Sequence, residues 1–588
     1  MEISPIKNLR LKSSFNLYIN DSSYRNFVPV YTVSTTDYNP EAKVSQSKNN
    51  NMAFQWENTL SYDLKLKGNH TFNFIFGQSI EKAGLGDGID GTNINPIYDG
   101  FDYAYLSNCK STVIGKTVLT GAPNVRSQLA SFFGRINYNY YEKYLLTLVM
   151  RADGSSNFAR GNRWGYFPSI SAGWVITNEN FMESTRGWLD FLKLRASWGQ
   201  NGNQAISNFQ YLASYAVGGL RDYTFGIDKT SWETGTYANI MPNKDVTWET
   251  SEQINIGVDA RVLDGRMSIV LDWYNKTTKD WLVQAPILSS FGAGAPYING
   301  GAIQNRGLEI SLGWNDQIGE FHYGANLNTS FNKNKITRID NSEGIILGAN
   351  QLFAPSGSEI YRAEVGKPIG YFYGYKTAGV FQNQQQIDNY KGAKLEGTEP
   401  GDVIFVDTNN DQAINDEDKT MIGNPNPDMT MGFSLNLGYK GFDFSLTAYG
   451  AFGHQVAACL RDPALPLYNQ TQEFYNNRWH GEGTSNRYPR MTYGLSSNWL
   501  NFSDIYIEDA DYLKIQNITI GYDFKRLIPN LPLQQARLFV TGQNLFTITK
   551  YFGADPEVGF AGDSWAKGVD VGFYSAPKSL LLGVNLKF

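Results

Sequence analysis

The chain has 588 residues and a net charge of −6 with no basic block, which argues against a nucleic-acid partner. Aromatic residues make up 14% and there are 58 Gly, a composition that reads as all-β. No stretch approaches the ~18 consecutive apolar residues of a membrane helix, and two cysteines far apart in sequence, Cys109 and Cys459, exclude a disulfide framework and read as unpaired thiols.

Taken in chain order, the dominant pattern is strict two-residue alternation. In GRINYNYY, Ile136, Tyr138 and Tyr140 oppose Arg135, Asn137 and Asn139. In SEQINIGVDARVL, Ile254, Ile256, Val258, Ala260 and Val262 oppose Asn255, Gly257, Asp259 and Arg261. In NRGLEISLGW, Leu308, Ile310, Leu312 and Trp314 oppose Glu309, Ser311 and Gly313. In MGFSLNLGYKGFDFSLTAYG the pattern pauses only at Lys440–Gly441, a hairpin turn. About sixteen strands are expected, beginning near residues 8, 53, 70, 127, 143, 163, 189, 248, 266, 303, 321, 429, 442, 510, 534 and 578. Many could run about 12 to 15 residues, against about five or six for a globular strand.

Their connections take turns between short and long. Short ones are 67–69, 141–143, Asp264–Gly265, 317–320, Lys440–Gly441 and 525–532. The segment 177–188 is longer and suggests a helical turn. Long ones are 21–52, 81–126, 154–162, 201–247, 284–302, 336–428, 454–509 and 548–577. That asymmetry, with long strands, points to a transmembrane antiparallel β-barrel with short periplasmic turns and long extracellular loops. Lipid cannot hydrogen-bond the backbone, so only a closed ring of strands can span. Trp174, Trp198, Trp273, Trp281, Trp314, Tyr512 and Tyr522 cluster near strand ends and suit interfacial girdles. The alternative is a secreted β-rich carbohydrate-binding module or glycosidase, because alternation alone fits a soluble sheet.

Several long stretches together resemble the SusC/RagA-type TonB-dependent outer-membrane transporters. They are RADGSSNFARGNRWGYFPSISAGW at 151–174, LKLRASWGQNGNQAI at 192–206 and VTWETSEQINIGVDARVLDGRMSIVLDWYNKTTKDWL at 246–282. NGGAIQNRGLEISLGW at 299–314, GDVIFVDTNNDQAINDEDKTMIGNPNPDMTMGF at 401–433 and RLFVTGQNLFTITKYFGADPEVG at 537–559 match as well. The resemblance implies import of glycans or peptides across the bacterial outer membrane. It also implies a SusD-like surface lipoprotein, energy delivered through TonB to a plug domain, and folding by the barrel-assembly machinery. Barrels of that class have about 22 strands. The opening MEISPIKNLRLKSSF has no signal peptide, plug or TonB-contacting segment. The expectation is therefore that residues 1–588 are the carboxy-terminal part of the barrel, about 16 of about 22 strands.

Candidate sites are few. DTNNDQAINDED at 407–418 has the spacing of a calcium loop. Asp407, Asn409, Asp411, the Ala413 carbonyl, Asn415 and Asp418 stand at positions 1, 3, 5, 7, 9 and 12. A structural Ca²⁺ is one expectation. The other is a polar turn whose Asp and Asn cap their own backbone, favoured by Gln412 where Gly is usual. Loop aromatics Tyr475, Trp479, Trp499 and Trp565, with Tyr488, Phe560 and Tyr574, suit a sugar or peptide ligand, or packing of loop on loop. Arg135, Arg195, Asp259 and Arg261 could line a ligand path, or form salt bridges in the wall. His70, His322, His454 and His480 show no metal spacing, and there is no GxSxG or HExxH, so no catalytic residue is assigned. The chain ends LLLGVNLKF. The family resemblance implies that a final strand closing on an aromatic residue, here Leu582, Val584, Leu586 and Phe588, is the barrel-assembly signal, facing outer-membrane lipid.

Overall fold

The computed structural model describes residues 1–35, 37–109, 112, 116–217, 223–224, 232–233, 235–284, 292–348, 359–460, 470–492, 495–558 and 567–588. The chain divides into two compact units. One comprises Met1–Ala172, Gly199–Thr250 and Leu282–Asn299; the other comprises Gly173–Trp198, Ser251–Trp281 and Gly300–Phe588. Among the described residues nineteen strands are assigned to one sheet.

In the first unit Glu2–Ile6 and Leu9–Val28 form a hairpin turned at Asn8. Leu9–Val28 pairs along its whole length with Lys43–Leu66, from Leu9↔Tyr62 to Val28↔Lys43. His70–Leu85, Ser127–Tyr140 and Tyr144–Ser155 follow in antiparallel order. In the second unit the strands from Met267–Lys279 to Ser579–Lys587 make a meander. Gly301–Ile318, Phe321–Ile339, Met429–Tyr439, Phe442–Phe452, Tyr512–Asp523 and Gln535–Thr549 lie between them, each paired with the next. The tight Lys440–Gly441 turn has φ of 47° and 90°. A two-residue hairpin needs positive φ at both positions, and Gly441 supplies one without strain.

Each of the sixteen expected strands is present. Three further ones, Glu2–Ile6, Asp87–Ile94 and Val118–Pro123, make up the nineteen. Residues 21–52, expected as a loop, are mostly strand, because Leu9–Val28 and Lys43–Leu66 run on through them. Asp87–Ile94 and Val118–Pro123 likewise occupy part of the expected 81–126 loop, building onto the start of Lys43–Leu66. These segments are polar, such as NDSSYRN, so their backbone ladder continues without an apolar stripe to announce it. The helical turn expected in 177–188 is a pair of 3-10 turns, Ile176–Asn178 and Asn180–Thr185.

The two faces of the sheet differ in chemistry. Register aligns Ile269, Leu312, Leu327, Phe433 and Ala448 in one row. Phe444, Ile520, Val540 and Leu582 align in another. Apart from buried Ala448 this apolar face is half-exposed to exposed: Ile520 is 56% and Leu582 73% accessible. The opposite face is polar and bonded to itself. Asn73 donates to Asp63 at 2.7 Å, Asn137 to Asn73 at 3.2 Å, and Thr147 to Asn137 at 3.0 Å. In the second unit Asn332 and Asn334 both donate to Asn305, and Thr519 and Thr541 share a 2.8 Å bond. A soluble sheet buries its apolar face; this one exposes it, as a lipid-facing wall does. Among the described residues no helix is long and apolar enough to cross a membrane, which says nothing of strands.

The compact cores lie in the connections. In the second unit a four-stranded sheet of Ile345–Leu347, Tyr361–Glu364, Tyr371–Gly374 and Thr420–Gly423 surrounds fully buried Tyr361 and Phe372. Ala457, Phe502, Tyr506, Ile507 and Val569 pack into the same core. In the first unit Phe158, Phe167, Val246 and Trp248 form a core over the strand ends. Much of the loop aromatic content therefore serves loop-on-loop packing. Cys109 and Cys459 are both free thiols.

An arginine in the exposed apolar row is expected to cost more than loss of a polar-face hydrogen bond. In urea titration of the full-length protein in lipid, Ile520→Arg should lower stability by about 2–4 kcal/mol. Thr519→Val should cost about 1 kcal/mol or less.

Candidate functional site

The polar face of the second unit holds a dense ion-pair network. Arg195, on strand Leu189–Asn203, donates through Nε to both Asp259 oxygens at 3.0 and 3.2 Å. Its two terminal nitrogens each reach Asp272 at 2.5 Å, and Nη1 also meets Asn255 at 3.3 Å. Alternation places all four on one face, because each is two or four residues from another polar position. Arg261 lies over the Phe191 ring at 4.9 Å. Arg135 stands exposed on the polar face of its own unit, opposite Ile75 and Val149. Arg195 and Asp259 thus form a salt-bridge network in the wall, completed by Asp272. Further along, Arg537 clamps Asp443 through two nitrogens at 2.7 and 2.5 Å.

The loop layer carries an aromatic cleft. Phe474, Tyr488, Trp499, Tyr506 and Phe552 line it, with Gln470 and Glu508 supplying polar edges. Trp499 stands edge-on to Phe474, centroids 4.6 Å apart at 88°. Tyr506 holds the Trp499 carbonyl at 2.9 Å. Glu508 accepts from Arg487 at 2.6 Å and from the Tyr488 hydroxyl at 2.9 Å. Burial first, and the Glu508 charge second, push the Tyr488 hydroxyl up, so it stays a neutral donor. Apolar ring faces with a few fixed polar groups are what a sugar ring or peptide side chain requires.

A family model described as TonB dependent receptor-like, beta-barrel, matches residues 5–545. The chain belongs to this family. TonB-dependent receptor P3 of Formosa agariphila is 29% identical over 99% of this chain and 57% of its own length. TonB-dependent receptor SusC of Bacteroides thetaiotaomicron is 32% identical over 79% of this chain and 44% of its own. Among solved structures, the RagAB peptide transporter superposes with a TM-score of 0.81 at 23% identity, covering all of this chain and 61% of that one. The fold is that of a SusC/RagA-type β-barrel portion. The chain spans about half the length of the curated relatives it matches, 57% of one and 44% of the other.

Within this barrel portion the other expected residues are distributed as follows. Trp499 lines the cleft. Tyr475 is exposed, with the Arg478 guanidinium 4.0 Å over its ring. Trp479 is half-buried and packs against Gly401, where a Cβ would lie 2.4 Å from the indole. Trp565 and Phe560 lie outside the described residues, and Tyr574 is almost fully exposed. Of the cleft residues missed in the sequence, Phe474 and Tyr506 lie far apart in the 454–509 connection and Phe552 lies in the next one, and no spacing joins them. Leu582, Val584 and Leu586 pair opposite Val540, Leu538 and Ala536, on the apolar face. Phe588 is 83% accessible.

The 407–418 loop satisfies its own carboxylates. Asp407 accepts from the amides of Asp411 and Gln412, and Asp411 from that of Ala413. Buried Asp418 accepts from Thr408 at 2.7 Å and from Asn415 at 2.9 Å, closing a capping box with Asn415. Asn409 and Asn415 both donate to the second Asp411 oxygen. Among the described residues no three His, Cys, Asp or Glu are placed to hold a metal ion. As arranged, these carboxylates bond the loop's own amides, in the manner of a self-capped turn. The Ala413 amide holds the Asp411 carboxyl below the usual range, and Lys419, 2.8 Å away, does the same for Asp416.

Two outcomes are expected. Arg195→Ala leaves Asp259 and Asp272 without their partner and should cost roughly 1–3 kcal/mol in denaturant titration, with Arg195→Lys recovering only part. Amide exchange at 407–418 should be unchanged by calcium but much faster in Asp418→Ala. Its protection, present above the ordinary carboxylate pKa of about 4, should fade as pH falls through the depressed values of Asp411 and Asp416.

Proposed function

We propose that this chain is the barrel portion of an outer-membrane nutrient importer of the SusC/RagA type. The observation that carries it is the exposed apolar face of the sheet, backed by a polar, ion-paired face and joined to a thick loop layer. The first suits lipid, the second a water-filled interior and the third ligand capture. Family membership and the likeness to SusC support the same reading. Uptake is energised through TonB, and a SusD-like surface lipoprotein covers the loop layer. The role is transport rather than catalysis, as for the receptors and transporters of this family.

The cargo is a glycan or peptide oligomer, and the cleft around Trp499 is a contact for it. Support comes from the half-buried Trp499 indole beside the Glu508–Arg487 pair. Leu582, Val584, Leu586 and Phe588 serve as the assembly signal. Their support is an apolar row ending the chain on an aromatic residue.

Fractionation of cells expressing the full-length protein tests the reading. It should be recovered with outer membranes, co-purify with a surface lipoprotein, and support growth on an oligosaccharide or oligopeptide. Trp499→Ala should weaken uptake several-fold, and Phe588→Asp should lower the amount in the membrane. Recovery in the soluble fraction without detergent would overturn the proposal.

A further inference from the structure

The outer face of the second unit changes character within one pleat. Leu308 pairs with Trp273 on one side and with Phe331 on the other, and all three are exposed. One pleat nearer the long loops, Arg306 stands directly opposite Lys333. The next pair on the same face is Gln304 with Lys335. Arg306, Lys333 and Lys335 are exposed. Like charges directly opposite on a β-ladder are destabilising. Two other cations near this rim are neutralised: Lys279 by Glu252, and Arg338 by Asp280 and Asp340. Among the described residues no carboxylate pairs with Arg306, Lys333 or Lys335.

Below these cations runs a groove of about 500 Å³ lined by Trp273, Leu308, Phe331, Arg306, Lys333 and Asp428. It arises because Met429–Tyr439 starts level with Phe331, while Phe321–Ile339 continues towards the loops. Asp428 is the acidic residue of the lining, and its side chain is turned to Gly453. Height follows from strand geometry. Lys333 is twelve residues beyond Phe321, about 40 Å along the strand and about 30 Å in height at a tilt of about 40°. The apolar band of such barrels is about 25 Å tall. The cations therefore stand just beyond the band on the long-loop side, with the groove just inside it.

We propose that this groove holds a phosphate-bearing lipid of the outer leaflet, one acyl chain against Trp273, Leu308 and Phe331 and the phosphate between Arg306, Lys333 and Lys335. The inference rests on the outer-membrane reading above. Charge complementarity selects the occupant: a cationic pair without counter-ions above an apolar trough matches an anionic headgroup on a hydrocarbon tail. A bound phosphate relieves the repulsion between Arg306 and Lys333 and so stabilises this part of the wall.

The test uses the full-length protein extracted from membranes, stripped of lipid, and mixed with lipid A carrying phosphate or with its dephosphorylated form. Bound lipid is counted by native mass spectrometry. Wild type should retain the phosphorylated form at least tenfold better. The variant Arg306→Gln/Lys333→Gln/Lys335→Gln should lose that preference while keeping its folded, slow-migrating band on unheated gels. Lys333→Arg should keep it. Trp273→Ala should weaken binding of both forms. Equal retention by wild type and the triple variant would overturn the proposal, as would loss of a co-purifying protein in that variant with lipid retention intact. Absence of the wild-type protein from outer membranes would instead count against the importer reading itself.

Discussion

The constraint on which the structure depends is that peptide groups in hydrocarbon have no water to bond. Each N–H and C=O must find its partner within the protein. Among the described residues antiparallel ladders meet this demand between neighbouring strands, as between Glu2–Ile6 and Leu9–Val28 in the first unit and between Gln535–Thr549 and Ser579–Lys587 in the second. Once the backbone is paired, the pleat assigns side chains to two faces with a period of two. Everything else about the wall follows from that assignment. One face can be apolar and meet lipid, while the other can carry Arg195, Asp259 and Asp272 in a network that would be costly if any member were missing.

The sheet was legible in the sequence to the degree that its faces differ. Ile254, Ile256, Leu308, Leu312, Val540 and Leu582 announce their strands by alternation, and Lys440–Gly441 marks its turn. Where strands are polar on both faces, as in the later part of Leu9–Val28, the backbone ladder persists but the pattern vanishes, and a loop is inferred in its place. Local turn chemistry was equally readable. The 407–418 spacing shows a loop organised by Asp and Asn, but spacing alone does not tell whether their oxygens turn to a cation or to their own amides. In the structure Asn415 and Asp418 cap each other's backbone.

The loop layer was the least legible part. Tyr361, Phe372, Phe502 and Val569 are distant in sequence and meet in one buried core. The cleft at Trp499 draws Phe474, Tyr488, Tyr506 and Phe552 from different segments. Such sites are set by how loops pack on one another, which periodicity does not encode. The same packing fixes the cleft, since Trp499 leans on Phe474 and Tyr506 while Glu508 is held by Arg487 and Tyr488. A ligand would meet a preformed surface rather than one ordered at its own cost.

The central claim is that the exposed apolar face meets lipid and the polar face meets water. Single spin labels placed in turn from Arg537 to Gly542 in the full-length protein, in its native membrane, test it directly. Collision with oxygen, which partitions into lipid, and with a water-soluble nickel chelate should alternate from residue to residue. Leu538 and Val540 should be reached by oxygen, and Arg537, Phe539 and Thr541 by the chelate. Uniform access of the chelate to all six positions would contradict the account.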